Sequence, residues 1–342
     1  MKYRNLLFIF LLSVFASCSK DPELEPDTPP STFKVRIDNV IHETYFDSYP
    51  QGPSLFVPYL VMSGLPEGEK LLAFGGYYSP ENPNPDGSDY TFIHDCADDE
   101  LIQGWDWTQE LIYSAGWIDL PIPGKTYYFK GVVRTNKAVY YSNTVTINTD
   151  GLPGYTPGPQ DRVLPVVFHV MPRKDGTYPH PYFFDEMLAC ANRLYRNVWP
   201  LPGLADAGIR FVPATHAPDG TALSTPGIHY LDERYELDLD ISNEELRQWV
   251  GDNLWEMTEV INVWVSPFIN DHIVSEDTST AGFTFLPYFA PEEMLQGCNT
   301  AVPGCFSGIF LNQEIVGNGY CNSGIAVFAH EAGHYLGLDH VF

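Results

Sequence analysis

His330-Glu331-Ala332-Gly333-His334-Tyr335-Leu336-Gly337-Leu338-Asp339-His340 is the stretch from which the rest of the chain can be read. Residues four apart lie one above the other on a helix, so His330 and His334 can turn two imidazole nitrogens toward one ion. Glu331 is offset around the helix from His330 and approaches a metal-bound water rather than the metal. Gly337 can take the left-handed conformation that ends a helix. The chain then returns, and His340 supplies a third nitrogen. Three His ligands leave a fourth position for water, which is the arrangement of a catalytic rather than a structural zinc site.

The chemistry expected of such a site is hydrolysis. Zinc acidifies its water and polarises a carbonyl, while Glu331 takes the water's proton and passes it to a leaving amine. Other candidates are weaker. His169 lies in an apolar strand and reads as a hydrogen-bonded core histidine. His216, His229 and His272 are scattered in or beside loops without ligand spacing. No Ser or Cys stands in a nucleophile context such as G-x-S-x-G.

Working back from the motif, residues 162 onward alternate strands and helices. Strands are expected over 163–171, 209–213, 228–231, 260–265, 282–288 and 308–311. Helices are expected over 182–198, with Phe184, Met187, Leu188, Ala191 and Leu194 on one face, and over 325–336. A third helix opens at a capping box, Ser242 with Glu245, and runs through Leu246, Trp249, Val250 and Leu254. Together these make an α/β domain over 162–342. A Gly/Pro linker at 151–161 separates it from residues 32–150, which read as all-β. There, 33–37, 54–62 and 71–78 are strand-like, and 82–89 is a turn-rich loop. The segment 126–134 alternates Tyr127, Phe129 and Val133 against Tyr128, Lys130 and Arg134, and a short turn leads into 139–148. The run Leu120-Pro121-Ile122-Pro123-Gly124-Lys125-Thr126-Tyr127 resembles the approach to strand F of fibronectin type III domains. The resemblance implies a β-sandwich in which Tyr127 forms the tyrosine corner. Its simplest role is a spacer.

The first residues read as processing signals. Lys2 and Arg4 precede an apolar run, Leu6 to Phe15, too short to span a bilayer. Ala16-Ser17-Cys18 resembles a bacterial lipobox, with Phe15 where Leu is usual, so 1–17 is expected to be removed and Cys18 acylated. The acidic, Pro-rich stretch 18–31 reads as a tether. The expected location is therefore the cell surface or outer membrane of a Gram-negative bacterium, with the membrane touched only through lipid on Cys18. A net charge of −26, from 18 basic and 44 acidic residues among 342, opposes nucleic-acid binding. Apart from Cys18, the cysteines are Cys96, Cys190, Cys298, Cys305 and Cys321, an odd number. Cys298 and Cys305 bracket a short loop and are a candidate disulfide pair.

The zinc motif, continuing Gly337-Leu338-Asp339-His340-Val341-Phe342, resembles the metzincins, and within them the pappalysin (cytophagalysin) group. Val166-Val167-Phe168-His169-Val170 resembles that group's opening strand and Ile261-Asn262-Val263-Trp264-Val265 its central strand. Gly282-Phe283 through Pro287 resembles the edge strand above its cleft. With lipobox and β-sandwich, the chain is similar to zinc-dependent metalloproteinase lipoproteins of Bacteroides-like bacteria. The resemblance implies His330, His334 and His340 as zinc ligands, Glu331 as general base, and a protein or peptide substrate added as a strand along 282–288. It also allows calcium, with no ligands mapped onto this sequence. Metzincins continue past the third His to a Met-containing turn, so the expectation is a metalloprotease domain cut short at its C-terminus. The competing expectation is a surface adhesion or binding lipoprotein built on the β-sandwich, with an inactive protease-like domain.

Overall fold

The computed structural model describes residues 32–44, 54–199, 205–233, 237–238, 244–269, 281–285, 308–313, 316 and 323–338. It is a multi-sheet, mostly β architecture with few helices. Residues 1–31, Ser242, Cys298, Cys305, Cys321, His272 and His340 lie outside the described residues, as does all of 286–307.

Two antiparallel sheets occupy the N-terminal part. The first joins β1 (Lys34–Thr44), β2 (Ser54–Ser63) and β5 (Leu111–Ser114) in that order, with β6 (Ile118–Asp119) also pairing β2. The second has the order β4-β3-β7-β8, from β4 (Tyr90–Asp95), β3 (Leu71–Ser79), β7 (Thr126–Thr135) and β8 (Val139–Asn148). Their apolar faces share one core, in which Ile37, Leu60 and Met62 of one sheet meet Phe74, Tyr78, Phe129 and Val133 of the other. The alternation expected in β7 is observed: Tyr127, Phe129 and Val133 are buried, and Tyr128, Lys130 and Arg134 are only partly so. The all-β expectation needs one correction. Glu100–Gln103 forms a single helical turn, α1, because Asp99 caps it through its side chain to the amides of Leu101 and Ile102.

The C-terminal part is built on a mixed sheet ordered β10-β9-β13-β16-β15. Its strands are β9 (Arg162–Val170), β10 (Ile209–Pro213), β11 (Ile228–Tyr230), β13 (Ile261–Ser266), β15 (Gly282–Phe285) and β16 (Gly308–Asn312). β10 and β11 share one edge of β9, running along its first and second halves. Pairings among β9, β10, β11, β13 and β16 are parallel, and β13 and β16 are buried throughout, as central parallel strands must be. β15 is antiparallel to β16 and forms the edge of the sheet among the described residues. A separate short pair joins β12 (Leu237–Asp238) and β14 (Phe268–Ile269). Among the described residues, three helices accompany these strands: α2 (Pro181–Tyr195), α3 (Glu244–Asn253) and α4 (Ser323–Tyr335).

Helix α2 joins the two parts. It buries Phe184, Met187, Leu188 and Ala191 as expected, but Leu194, expected on that face, is 38% exposed at the last turn. The same helix buries Tyr182, Phe183, Glu186 and Arg193 on further faces, because it packs on the C-terminal sheet and also meets Tyr90 of β4 and Tyr127 of β7. Polar groups buried there must find partners. Tyr182 Oη donates to Asp89 at 2.8 Å, and Tyr127 Oη donates to Glu186 at 2.6 Å. Arg193 donates to the carbonyls of Leu120 and, at 2.7 Å, Pro121. Tyr127 also accepts from the Ile122 amide at 2.8 Å, the backbone contact expected of it.

Candidate metal centre and general base

Helix α4 is positioned from three sides. Its buried Phe328 packs on Phe168 of β9 and Phe211 of β10, with ring centroids 5.7 and 5.5 Å apart. From α2, Tyr195 Oη donates to the Ala329 carbonyl at 3.1 Å, and burial pushes that phenol up to about 12, so it stays a donor. The third side is β15. A Cβ built on Gly282 would stand 2.9 Å from Val327 Cγ1 and the Phe310 carbonyl oxygen, and 3.1 Å from Glu331 Cγ. Only a glycine lets the strand approach the helix this closely.

The helix ends as its sequence requires. Gly337 has φ +92°, the Gly337 amide donates to His334 O at 2.8 Å, and the Leu338 amide donates to Gly333 O at 2.9 Å. Those two bonds are the Schellman pattern around a left-handed glycine. The turn brings the Leu338 carbonyl back over the helix, 2.8 Å from His334 Nδ1. A carbonyl can only accept, so Nδ1 carries the proton, and in the neutral imidazole Nε2 of His334 is then the nitrogen with the lone pair.

His334 Nε2 lies 3.1 Å from His330 Nε2, with the rings at 84° to one another. Two nitrogens on a tetrahedral zinc at about 2.0–2.1 Å from the ion would stand roughly 3.3 Å apart. The pair therefore fits the donor set of a zinc site, and the carbonyl behind His334 is the kind of partner that fixes a ligand's tautomer. His340, the third expected ligand, lies outside the described residues. Among the described residues no group of three or more His, Cys, Asp or Glu is placed to hold a metal ion.

Glu331 takes a different environment from its neighbour. His330 is exposed, whereas Glu331 is 6% exposed. Thr284 Oγ1 of β15 lies 2.8 Å from Glu331 Oε2 and 3.0 Å from the Glu331 carbonyl oxygen. Sequence reading did not single out Thr284. The signal was present: Gly282 and Thr284 are two apart on a strand and must face the same way.

The other histidines resolve differently from one another. His169 is fully buried, as expected of a core residue. Its Nε2 lies 2.9 Å from Asn262 Oδ1, and the Asn262 amide is oriented by Trp255, whose N–H it accepts at 3.0 Å and whose carbonyl it donates to at 3.1 Å. Its Nδ1 lies 2.9 Å from His229 Nδ1 on β11, a pairing that the scattered positions of the two histidines in the sequence do not reveal. Burial pushes His169 down to about 3 and lowers His229 as well. His216 lies apart from both, its Nδ1 2.9 Å from Thr215 Oγ1. Cys96 and Cys190 are buried free thiols, each pushed up to about 12 by burial, which makes them inert.

No protein-family profile matches this chain. No curated protein matches it either. Among solved structures, it is similar to mature mirolysin of Tannerella forsythia in complex with a cleaved peptide, at 17% identity and a TM-score of 0.39, over 54% of this chain and 66% of that one. A promirolysin mutant from the same organism gives 17% identity and a TM-score of 0.40 over 56% and 60%. A DUF3823 family protein from Bacteroides ovatus gives 15% identity and a TM-score of 0.24 over 34% and 55%. The chain thus spans less than two thirds of the length of each of these three structures.

Proposed function

We propose that this protein is a zinc-dependent endopeptidase of the metzincin type, similar to the pappalysin group, acting on extracellular proteins from a lipid anchor on Cys18. The observation that carries the reading is the pair of imidazole nitrogens 3.1 Å apart on α4, one residue from a buried, strand-held carboxylate. In this reading 32–150 is a fibronectin-III-like sandwich, 151–161 a linker and 162–342 the hydrolytic domain. The order β4-β3-β7-β8 facing β1-β2-β5, with Tyr127 bonded back to Ile122, supports the first assignment.

His330, His334 and His340 would hold the ion. Zinc, when bound, supplies a Lewis acid that polarises the peptide carbonyl and makes water more acidic. The remaining work belongs to the chain. Glu331 accepts the proton of the attacking water at its carboxylate and returns it to the leaving amine nitrogen. His334 is held in one tautomer by the Leu338 carbonyl, so its Nε2 stays a donor atom for the metal. β15, the sheet's edge among the described residues, offers backbone groups to an extended peptide lying alongside it.

Casein hydrolysis by the full-length protein tests this. A zinc chelator is expected to abolish cleavage and added zinc to restore it. Cleavage that persists in chelator would contradict the proposal.

A further inference from the structure

We propose that Thr284 is the positioning residue of Glu331, so that the strand offered to the substrate also sets the aim of the general base; this rests on the hydrolytic reading above. Alternation along β15 sends Gly282 and Thr284 toward α4 and Phe283 the other way, where its ring stacks on Phe310 at 4.7 Å and 3°. The two helix-facing residues divide one task. The absent side chain at Gly282 lets the stem of Glu331 lie against the strand. The hydroxyl at Thr284 then meets the carboxylate at 2.8 Å.

That hydroxyl has one proton and two oxygens within reach, Oε2 at 2.8 Å and the Glu331 carbonyl at 3.0 Å. The carboxylate is the shorter contact and the stronger acceptor, since hydrogen bonds to ionised groups are the strong ones. A glutamate otherwise chooses among several staggered rotamers. Here one oxygen is tied to a strand, and Oε1 is left as the oxygen that takes the proton. A general base works only within hydrogen-bond reach of its proton, so fixing its aim bears on the rate of the chemical step more than on substrate affinity. β15 is also pinned by its antiparallel register with β16, Thr284 opposite Ile309. A peptide adding to the outer edge of β15 would therefore be placed relative to Glu331 by a single rigid strand.

The test uses the full-length protein with Thr284→Val, which keeps the shape and removes the hydroxyl, and Thr284→Ser, which keeps the hydroxyl. For a peptide substrate, Thr284→Val is expected to lower kcat by about 10- to 100-fold with KM and zinc content unchanged, while Thr284→Ser stays within about threefold of the parent. A second readout does not need turnover: urea midpoints of Thr284→Val, Glu331→Ala and the double variant should be non-additive, because the two side chains share a contact. Parent-like kcat in Thr284→Val, or equal losses in the Val and Ser variants, would overturn the proposal. So would additive midpoints in a protein that does cleave. If the parent chain cleaves nothing while the midpoints are non-additive, the hydrolytic reading fails and the base role falls with it, leaving only a contact.

Discussion

Replacing Tyr127 with Phe removes one oxygen atom and should destabilise both parts of the molecule. Tyr127 has no exposed surface, and its hydroxyl serves two groups at once. It accepts from the Ile122 amide at 2.8 Å and donates to Glu186 at 2.6 Å. Without it, the Ile122 N–H loses its acceptor in a half-buried setting, a cost toward the low end of about 1–3 kcal/mol. Glu186, 3% exposed and with burial already holding its carboxyl above the usual range, loses a donor as well. The second loss costs a further ~1–3 kcal/mol, and because both pass through one atom the total should fall short of the sum. We expect about 3 kcal/mol, a large share of the roughly 5–15 kcal/mol that holds a typical domain together. Over 342 residues, at about 2.1 cal/mol/K of unfolding entropy per residue, that corresponds to a fall in Tm of roughly 4 °C. Urea denaturation followed by tryptophan fluorescence measures it, with Tyr128→Phe as the control. Tyr128 is the half-buried neighbour on the opposite face, and its variant should move stability by less than about 0.5 kcal/mol. A Tyr127→Phe midpoint within that same margin would refute the claim that the N-terminal sheets are locked onto α2 through this hydroxyl.

Other expectations follow from the same packing. His169 is held near 3 by burial, against about 6.5 in the unfolded chain. The unfolded state therefore binds a proton that the native state refuses, and stability that is complete above about pH 6.5 should drain away as pH falls toward 3, by at most about 5 kcal/mol. His169→Gln should flatten that slope in urea midpoints taken across the range, and an unchanged slope would assign the acid sensitivity elsewhere. Gly282→Ala should cost about 1–3 kcal/mol by forcing β15 off the helix, since its new Cβ would stand 2.9 Å from Val327 Cγ1 and the Phe310 carbonyl oxygen. Hydrogen exchange at Phe283 and Thr284 should rise in that variant. Phe328→Ala, which empties the seat of α4 on Phe168 and Phe211, should cost about 3–5 kcal/mol and weaken zinc retention in a chelator competition.

Much of this was legible from local pattern. β8 begins and ends at the residues where turn signals bracket its β-branched and aromatic run. Helix α4 was readable because its apolar positions, its i,i+4 histidines and its terminal Gly337 agree with one another. Tyr127 was legible from the Pro-Gly approach that precedes it. What stayed hidden was long-range. His169 and His229 are sixty residues apart and meet because β11 lies parallel to β9, a register that neither strand specifies alone. Leu194 was misplaced because helical periodicity assumes one buried face, whereas α2 is covered on several sides up to its last turn. The capped turn α1 is too short for periodicity to reveal, although Asp99 ahead of Glu100-Leu101-Ile102 carries the capping signal. Thr284 is not legible locally, because a strand's sequence does not say which helix its alternate side chains will face.

The measurement that bears most directly on the central claim is Glu331→Ala in the full-length protein, with zinc content and casein cleavage determined on the same sample. Zinc is expected to be bound as in the parent chain and cleavage to fall by about 100-fold or more, since the proposed ligands are intact and the base is gone. Cleavage at the parent rate with zinc in place would contradict it, because the buried carboxylate beside His330 would then have no part in the reaction.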